Sequence, residues 1–381
     1  MNVGILYPRS KAHPGIAQDF MDGIKAYTGP QPNGITLISE SIGYGGSEKE
    51  VYEKAEKLLV IEGVDVLVAY IGEKVIEILH PLLQASGKLM LVVHPGANYP
   101  GSWMPQANII NLTLQDAFLC WLCGKDAVNG KQKDAVMAST FYDCGYLHLA
   151  TMTNGLVNAG GNIVFNYINK GAYDNSFHID ELEGFLNETT TLPNLLCVFD
   201  ELPASLFYDK FNSYVNAAKP ELFVSPMMLE PGALSNAEAR FKFPVKGYSP
   251  WQAAVETPGG TAFRDAFGAK FNRKPGLFSL LGWETGMILK QVHGIGSAGF
   301  EDGAGITSAL QKIKLNSPRG EMTLDPTTNY FLAPIVQCSI DRDRDKMTTL
   351  LLDFPQEAWS TYIQQPTDGS GSGWTNTYLC Y

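Results

Sequence analysis

Residues 64–100 read VDVLVAYIGEKVIEILHPLLQASGKLMLVVHPGANYP, and the reading of this stretch decides the fold. VDVLVAYI and KLMLVVH are short, continuous apolar runs bounded by polar, Gly or Pro residues, the pattern of strands buried on both faces. Between them Val75, Ile76, Leu79, Leu82 and Leu83 recur at helical spacing, and Gly87 stands where a helix C-terminus favours glycine. Strand, helix and strand of this length make one right-handed βαβ unit. Its strands end in the turns Gly72-Glu73 and His94-Pro95-Gly96-Ala97-Asn98. In an open α/β sheet, ligands sit at the carboxyl ends of strands.

Working outward, a chain of 381 residues is too long for one ordinary core, so two domains are expected. A net charge of −11 argues against nucleic acid and anionic membrane surfaces as partners. No apolar run approaches the roughly 20 residues needed to cross a bilayer. Strand-like sequence starts at once with MNVGILYP, without a basic and then apolar leader. Either the chain is cytosolic, or a signal peptide has been removed and Met1 added.

The first half reads as strands at Val3–Pro8 and Gly34–Ser41, and helices at Gly15–Tyr27 and from Ser47 to Glu62. Ser47 and Glu50 form a capping box at the second of these. Asn108–Leu114 is a fifth strand. The pattern then restarts. Helices are expected at Gln115–Val128, Leu147–Ala159, Ile179–Asn187 and Ala204–Ala217, and strands at Asp134–Thr140, Asn162–Asn169, Leu195–Phe199, Leu222–Ser225 and Val245–Tyr248. Helices at Thr261–Asn272, Ser279–Ile295 and Ile306–Lys312 follow, then strands at Tyr330–Ile340 and Thr348–Leu352. Gln364–Gly373 is Gly/Ser-rich and linker-like, and the apolar end WTNTYLCY either docks or stays disordered. Cys120 and Cys123, in C-W-L-C, read as buried helix cysteines, Cys197 as a strand residue, and Cys338 and Cys380 as candidates for a disulfide pinning the tail.

The search for enzyme chemistry is negative. GxGxxG, GxxxxGK[ST], GxSxG and HExxH do not occur, and His13, His80, His94, His148, His178 and His293 include no pair at metal-ligand spacing. No cofactor, metal or catalytic residue is expected. What remains is a set of strand-end turns: Tyr7-Pro8-Arg9-Ser10, Gly72-Glu73 and His94–Asn98, then Phe141-Tyr142-Asp143, Asp200-Glu201, Pro226-Met227-Met228 and Tyr248–Trp251. Helices begin just after several of them, and free N–H groups there suit a carboxylate. Two such faces across a cleft would enclose a small molecule.

At this point the chain resembles the type I periplasmic solute-binding proteins, in the branched-chain amino acid-binding (Leu/Ile/Val-binding-like) group of ABC transport systems. VGILYP…GIAQDFMDGIKAY is similar to the family's first strand and helix, and residues 64–100 to its third strand, helix and fourth strand. STFYDCGYLHLATMTNGLVNAGGNIV resembles the opening of the second domain, and SPRGEMTLDPTTNYFLAPIVQCSI the hairpin near the end. The resemblance implies two doubly wound Rossmann-like α/β lobes joined by a three-segment hinge, with the ligand cleft between them. One lobe would take 1–114 plus 250–328, the other 115–249 plus 330–362, leaving 363–381 as linker and tail. It implies an extracytoplasmic, periplasmic protein, monomeric or weakly dimeric, that closes on a small amino-acid-like or aromatic, amphipathic solute. The solute would pass to a membrane ABC permease. A small-molecule sensor or receptor domain on the same fold, cytoplasmic in location, is the alternative.

The ligand-binding residues carried over are Arg9, Ser10, Gly72, Glu73, His94, Pro95, Gly96, Ala97, Tyr142, Asp200, Met227 and Trp251. Where the family offers hydroxyls after its third and fourth strands, this chain has Glu73 and His94. Asp200 or Glu201 would be the amine-binding acid. Blander readings stand beside these. Glu73 is a first-turn helix acid, His94 a backbone-bonded ring, and Arg9 a solvated loop residue. Tyr142 and Trp251 pack strand ends, Met227 and Met228 fill space, and the Trp283-Glu284 pair walls a helix or faces the cleft.

Overall fold

The computed structural model describes residues 1–381 except 30–33, 46, 97–101, 129–131, 141–145, 171–176, 215–219, 235–240, 300–301, 343–345, 366–377 and 379–381, and the side chains of Glu73, Lys74 and Tyr146. The chain forms two compact units. The first is Met1–Leu114, Val255–Pro334 and Tyr378–Tyr381; the second is Gln115–Ala254 and Ile335–Thr377.

The first unit opens with β1 (Asn2–Tyr7), α1 (Ile16–Thr28), β2 (Thr36–Ser41) and α2 (Glu48–Glu56), which runs on through a π turn at Lys57–Ile61. Ser47 caps α2, its hydroxyl accepting the Glu50 N–H at 3.3 Å. β3 (Val66–Tyr70), α3 (Glu73–Ser86), β4 (Leu89–His94) and β5 (Ile109–Thr113) complete the sheet. Every residue of β3, β4 and β5 is buried, as the continuous apolar runs require. Gly87 ends α3 at φ 65°, a left-handed conformation that glycine adopts without a Cβ clash. The sheet order is β2-β1-β3-β4-β5, parallel throughout. α2 and α3 cover one face, where Val51, Leu58, Leu79 and Leu83 meet Leu67, Ala69, Met90 and Val92.

The second unit comprises α4 (Asp116–Asp126), β6 (Asp134–Thr140), α5 (Tyr146–Asn158), β7 (Asn162–Asn169), α6 (Asp180–Glu188), β8 (Asn194–Val198), α7 (Glu201–Ser213), β9 (Leu222–Val224), a 3-10 turn at Pro226–Leu229, α8 (Pro231–Leu234) and β10 (Val245–Ser249). Strands β7-β6-β8-β9-β10 are parallel and repeat the order of the first sheet. The chain next adds α9 (Pro258–Phe271), α10 (Leu277–Ser297), α11 (Gly303–Leu310), β11 (Lys314–Ser317), β12 (Gly320–Leu324) and β13 (Phe331–Leu332) to the first unit. It ends with β14 (Ile335–Ile340), β15 (Thr348–Leu352) and α12 (Gln356–Tyr362) in the second, where β14 and β15 extend the sheet antiparallel to β10.

Each unit holds one helix pair packed backbone to backbone. A Cβ on Gly23 of α1 would lie 2.1 Å from the Ser279 carbonyl oxygen of α10, and one on Gly282 would lie 2.0 Å from that of Phe20. In the second unit, a Cβ on Gly124 of α4 would sit 1.9 Å from the Met152 oxygen of α5, and one on Gly155 would sit 2.0 Å from that of Trp121.

Several expectations are corrected. Tyr330–Ile340 is not one strand: Ala333-Pro334 interrupts it, β13 pairing with β12 and β14 with β10. Proline has no N–H to donate to a ladder. α7 begins at Glu201 and ends at Ser213, because Asp200 caps it and Pro203 falls in the first turn, whose N–H groups lack intrahelical acceptors. For the same reason α9 starts at Pro258, with Thr257 as its cap. Helix α12, not expected, buries Trp359 and Tyr362 against Phe118 of α4. Cys338 is a free, buried thiol in β14 and not half of a disulfide; Cys380 lies outside the described residues. In the tail, Tyr378 is buried edge-on to His13 and Phe278 of the first unit.

Candidate functional site

Doubly wound sheets bind ligands where strand order reverses, outside the carboxyl ends. In the first unit that point lies between β1 and β3, and in the second between β6 and β8. The segments that follow these four strands in the chain are Pro8-Arg9-Ser10, Ile71-Gly72, residues 141–145, which lie outside the described residues, and Phe199-Asp200. Topology alone therefore selects many of the candidate turns.

In the first unit Arg9 is exposed, and its N–H donates to the Gly43 carbonyl at 2.6 Å. Ser10 is buried, its hydroxyl accepting the His13 N–H at 3.0 Å. Gly72 is the N-cap of this 14-residue helix, α3, and has no side chain to accept from the first-turn N–H groups. Glu73 begins α3; its side chain lies outside the described residues. One turn further, Pro95 and Gly96 are buried, with Gly96 at φ 87°, and Ala97 lies outside the described residues.

His94 closes β4 with 1% of its surface exposed. Its Nδ1 accepts the Gly96 N–H at 2.9 Å, which leaves the ring proton on Nε2. That Nε2 is buried without a hydrogen-bond partner. Burial pushes the ring pKa down to about 3, so the imidazole is neutral. The backbone-bonded reading is thus correct for Nδ1, while Nε2–H is left as an unspent donor.

In the second unit Tyr142 lies outside the described residues. Asp200 is buried, and its Oδ1 accepts the Glu201 N–H at 2.8 Å. Met227 and Met228 are buried within the 3-10 turn, where the Tyr208 hydroxyl donates to the Met228 carbonyl at 3.0 Å. Trp251 is buried, its carbonyl accepting the Ser249 hydroxyl at 2.9 Å.

The Trp283-Glu284 pair is interior to the first unit. Glu284 is fully buried and pairs with Arg319 through Nε and Nη2, each at 2.8 Å. Ser317 donates a further hydrogen bond to the same carboxylate. Arg319 Nη1 donates to the Thr113 carbonyl at 3.2 Å, so the pair anchors the end of β5. Sequence reasoning also passed over Thr113 and Ser225, strand-end residues whose hydroxyls are fully buried without partners. Ser225 closes the apolar run Leu222–Val224, which is a signal in the sequence; Thr113 is followed by Leu114 and carries none. Among the described residues no group of three or more His, Cys, Asp or Glu can hold a metal, and no helix is long and apolar enough to cross a membrane.

Twice-repeated doubly wound sheets, with polar groups gathered at their carboxyl edges, define a class: two-unit α/β proteins built to hold a small molecule. The chain belongs to the periplasmic binding protein family, which matches residues 1–344. It is similar to an ABC transporter substrate-binding protein from Sphaerobacter thermophilus at 15% identity and a TM-score of 0.74, over 93% of this chain and 97% of that one. A solute-binding protein of an ABC transporter from Rhodopseudomonas palustris HaA2, solved with p-hydroxybenzoic acid, is 16% identical with a TM-score of 0.71, over 96% and 100%. The leucine-binding protein LivK from Thermotoga maritima MSB8 is 12% identical with a TM-score of 0.66, over 94% and 99%. No match was found among curated protein sequences.

Proposed function

We propose that this protein is the extracytoplasmic solute-binding component of an ABC importer and delivers its solute to a membrane permease. It holds the solute by hydrogen bonds and apolar contact, without covalent chemistry. The solute is small, carboxylate-bearing, and amino-acid-like or aromatic. The observation that carries this reading is the N-terminus of α3, where the N-cap Gly72 has no side-chain acceptor, at the carboxyl edge that also presents Ser10 and His94. Backbone N–H groups and a positive dipole end there favour an anion. Arg9, in the neighbouring turn after β1, supplies a guanidinium for the same group. Solved relatives crystallised with p-hydroxybenzoic acid, benzoate or isoleucine make carboxylates the first solutes to try.

Native mass spectrometry of the purified protein tests the proposal, because solute-binding proteins often carry their solute through purification. The expected result is a small carboxylic acid released on denaturation. Re-addition of that acid at about 100 times its Kd should stabilise the protein by roughly 2.7 kcal/mol. A retained nucleotide or cationic solute, or no thermal stabilisation by any carboxylate in a panel of amino acids and aromatic acids, overturns the reading.

A further inference from the structure

The sequence leaves the apolar end WTNTYLCY either docked or disordered, and Tyr378 within it is docked. It lies beyond residues 1–344, the part that matches the family, yet it is 1% exposed and belongs to the first unit. Its ring meets two others edge-on: His13 at 4.9 Å and 75°, and Phe278 at 5.1 Å and 89°. His13 and Phe278 also meet each other, at 5.7 Å and 68°. Three rings in mutual edge-to-face contact adopt the geometry that aromatic quadrupoles favour. Tyr378 keeps this place with φ 69°, a left-handed backbone that a bulky residue rarely adopts. A residue in such a conformation is held by its surroundings rather than by local preference, and such residues gather at functional sites.

The rings that Tyr378 touches belong to the start of α10 and to the turn between β1 and α1. Phe278 is the second residue of α10. The His13 carbonyl accepts the Ile16 N–H at 3.0 Å, where α1 begins, and the His13 N–H donates to the Ser10 hydroxyl at 3.0 Å. Residues 8–15 form neither helix nor strand, and Arg9, Lys11, Ala12, Pro14 and Gly15 are exposed. Exposed, irregular segments open locally at little cost. Against that tendency, Tyr378 and Phe278 clamp the ring of the residue whose N–H holds Ser10.

We propose that Tyr378 is a positioning residue: the C-terminal tail straps the turn between β1 and α1, and through His13 keeps Ser10 and Arg9 in place for the solute. The inference rests on the solute-binding reading above and adds the tail as a control on that site. With the ring out of its socket the turn opens, and the apparent affinity falls with the fraction of molecules in which the turn stays in place.

Trypsin digestion and isothermal titration of the full-length wild type, Tyr378→Ala and Tyr378→Phe test it. Trypsin has sites at Arg9 and Lys11 in the turn, and at the exposed Lys210 of α7 in the second unit. Tyr378→Ala should speed cleavage after Arg9 and Lys11 about fivefold or more, the scale of losing two edge-on ring pairs, with cleavage after Lys210 unchanged. Tyr378→Phe, which keeps the ring, should be cleaved like the wild type. The titration uses whichever of benzoate, 4-hydroxybenzoate and isoleucine the wild type binds. Its Kd should rise about threefold or more in Tyr378→Ala and stay within about twofold in Tyr378→Phe. Equal cleavage of wild type and Tyr378→Ala in the turn overturns the strap. So does equally faster cleavage after Lys210, which would mean that the ring adds to stability alone. Protection of the wild-type turn that is lost on dilution would assign the docked ring to a second copy and overturn an intramolecular strap. If the turn opens in Tyr378→Ala but the Kd does not change, control of the site is overturned and the importer reading stands. If the wild type binds none of the three carboxylates, the importer reading falls and the positioning role falls with it.

Discussion

His94 has one nitrogen bonded to its own turn and the other buried without a hydrogen-bond partner among the described residues, and burial fixes its charge. The usual pKa of an unfolded histidine is about 6.5, and in the fold it falls to about 3. Below pH 6.5 the unfolded chain therefore takes up a proton that the fold refuses. The contribution of the neutral ring is complete above that pH and is lost as pH falls towards 3, by up to about 1.4 kcal/mol per pH unit. Thermal melts from pH 7 to 4 should fall more steeply for the wild type than for His94→Asn. Parallel curves would mean the ring is charged in the fold. His94 was legible as a strand-end candidate from LMLVVHPG, but its tautomer was not, because that depends on the Gly96 N–H folding back onto it. Glu284 was open in sequence between a helix wall and the cleft, and burial on Arg319 decides for the wall. A charge in the apolar helix LFSLLGWETGMILK can face a ligand or a buried partner, and the partner, Arg319, lies beyond α11 and β11 in the chain. Losing either member would strand a buried charge, at about 3–5 kcal/mol.

At the scale of elements, β3, α3 and β4 were readable because burial on both faces leaves no room for polar interruptions, and Gly87 marks the helix stop. What local pattern did not reveal was the glycine packing of α1 on α10 and α4 on α5. Gly23, Gly124, Gly155 and Gly282 look in sequence like weak points of a helix. In the fold they are contact points with no space for a methyl group. Gly155→Ala, which raises intrinsic helix propensity, should therefore destabilise by about 3 kcal/mol or more, measured by urea unfolding. Gly184→Ala in α6, where an added Cβ meets nothing within 4 Å, should be neutral or stabilising. Equal effects at both sites would refute the packing argument. The break at Ala333-Pro334 escaped the sequence reading because both halves carry strand-like residues and only their partners differ.

For the molecule as a whole, the order β2-β1-β3-β4-β5 and its repeat place the candidate turns at two carboxyl edges. Alternating strand and helix patterns gave the α/β class, whereas strand order, a matter of which edges pair, is not written in any local window. The cysteines are a further property of the whole interior. Cys120, Cys123, Cys197 and Cys338 are all buried and free; burial holds the first three well above the usual thiol range and Cys338 up to about 12. A thiolate-specific reagent at pH 8 should leave these four unmodified in the native protein and label them all in denaturant, as mass mapping would read. Labelling of any of them before unfolding would contradict the packing described.

The alternation of segments between the two units bears on how the chain emerges from a ribosome. When β5 has been made, the first unit still lacks α10, which packs on α1, and Arg319, which ties down the end of β5. The second unit is synthesised next, and its sheet stays open beside β10 until β14 follows the return segment. Neither unit can close before the last part of the chain has left the tunnel. Release-stalled nascent chains ending before Ile335 should therefore be protease-sensitive throughout, and both units should gain protection over the same short window of elongation.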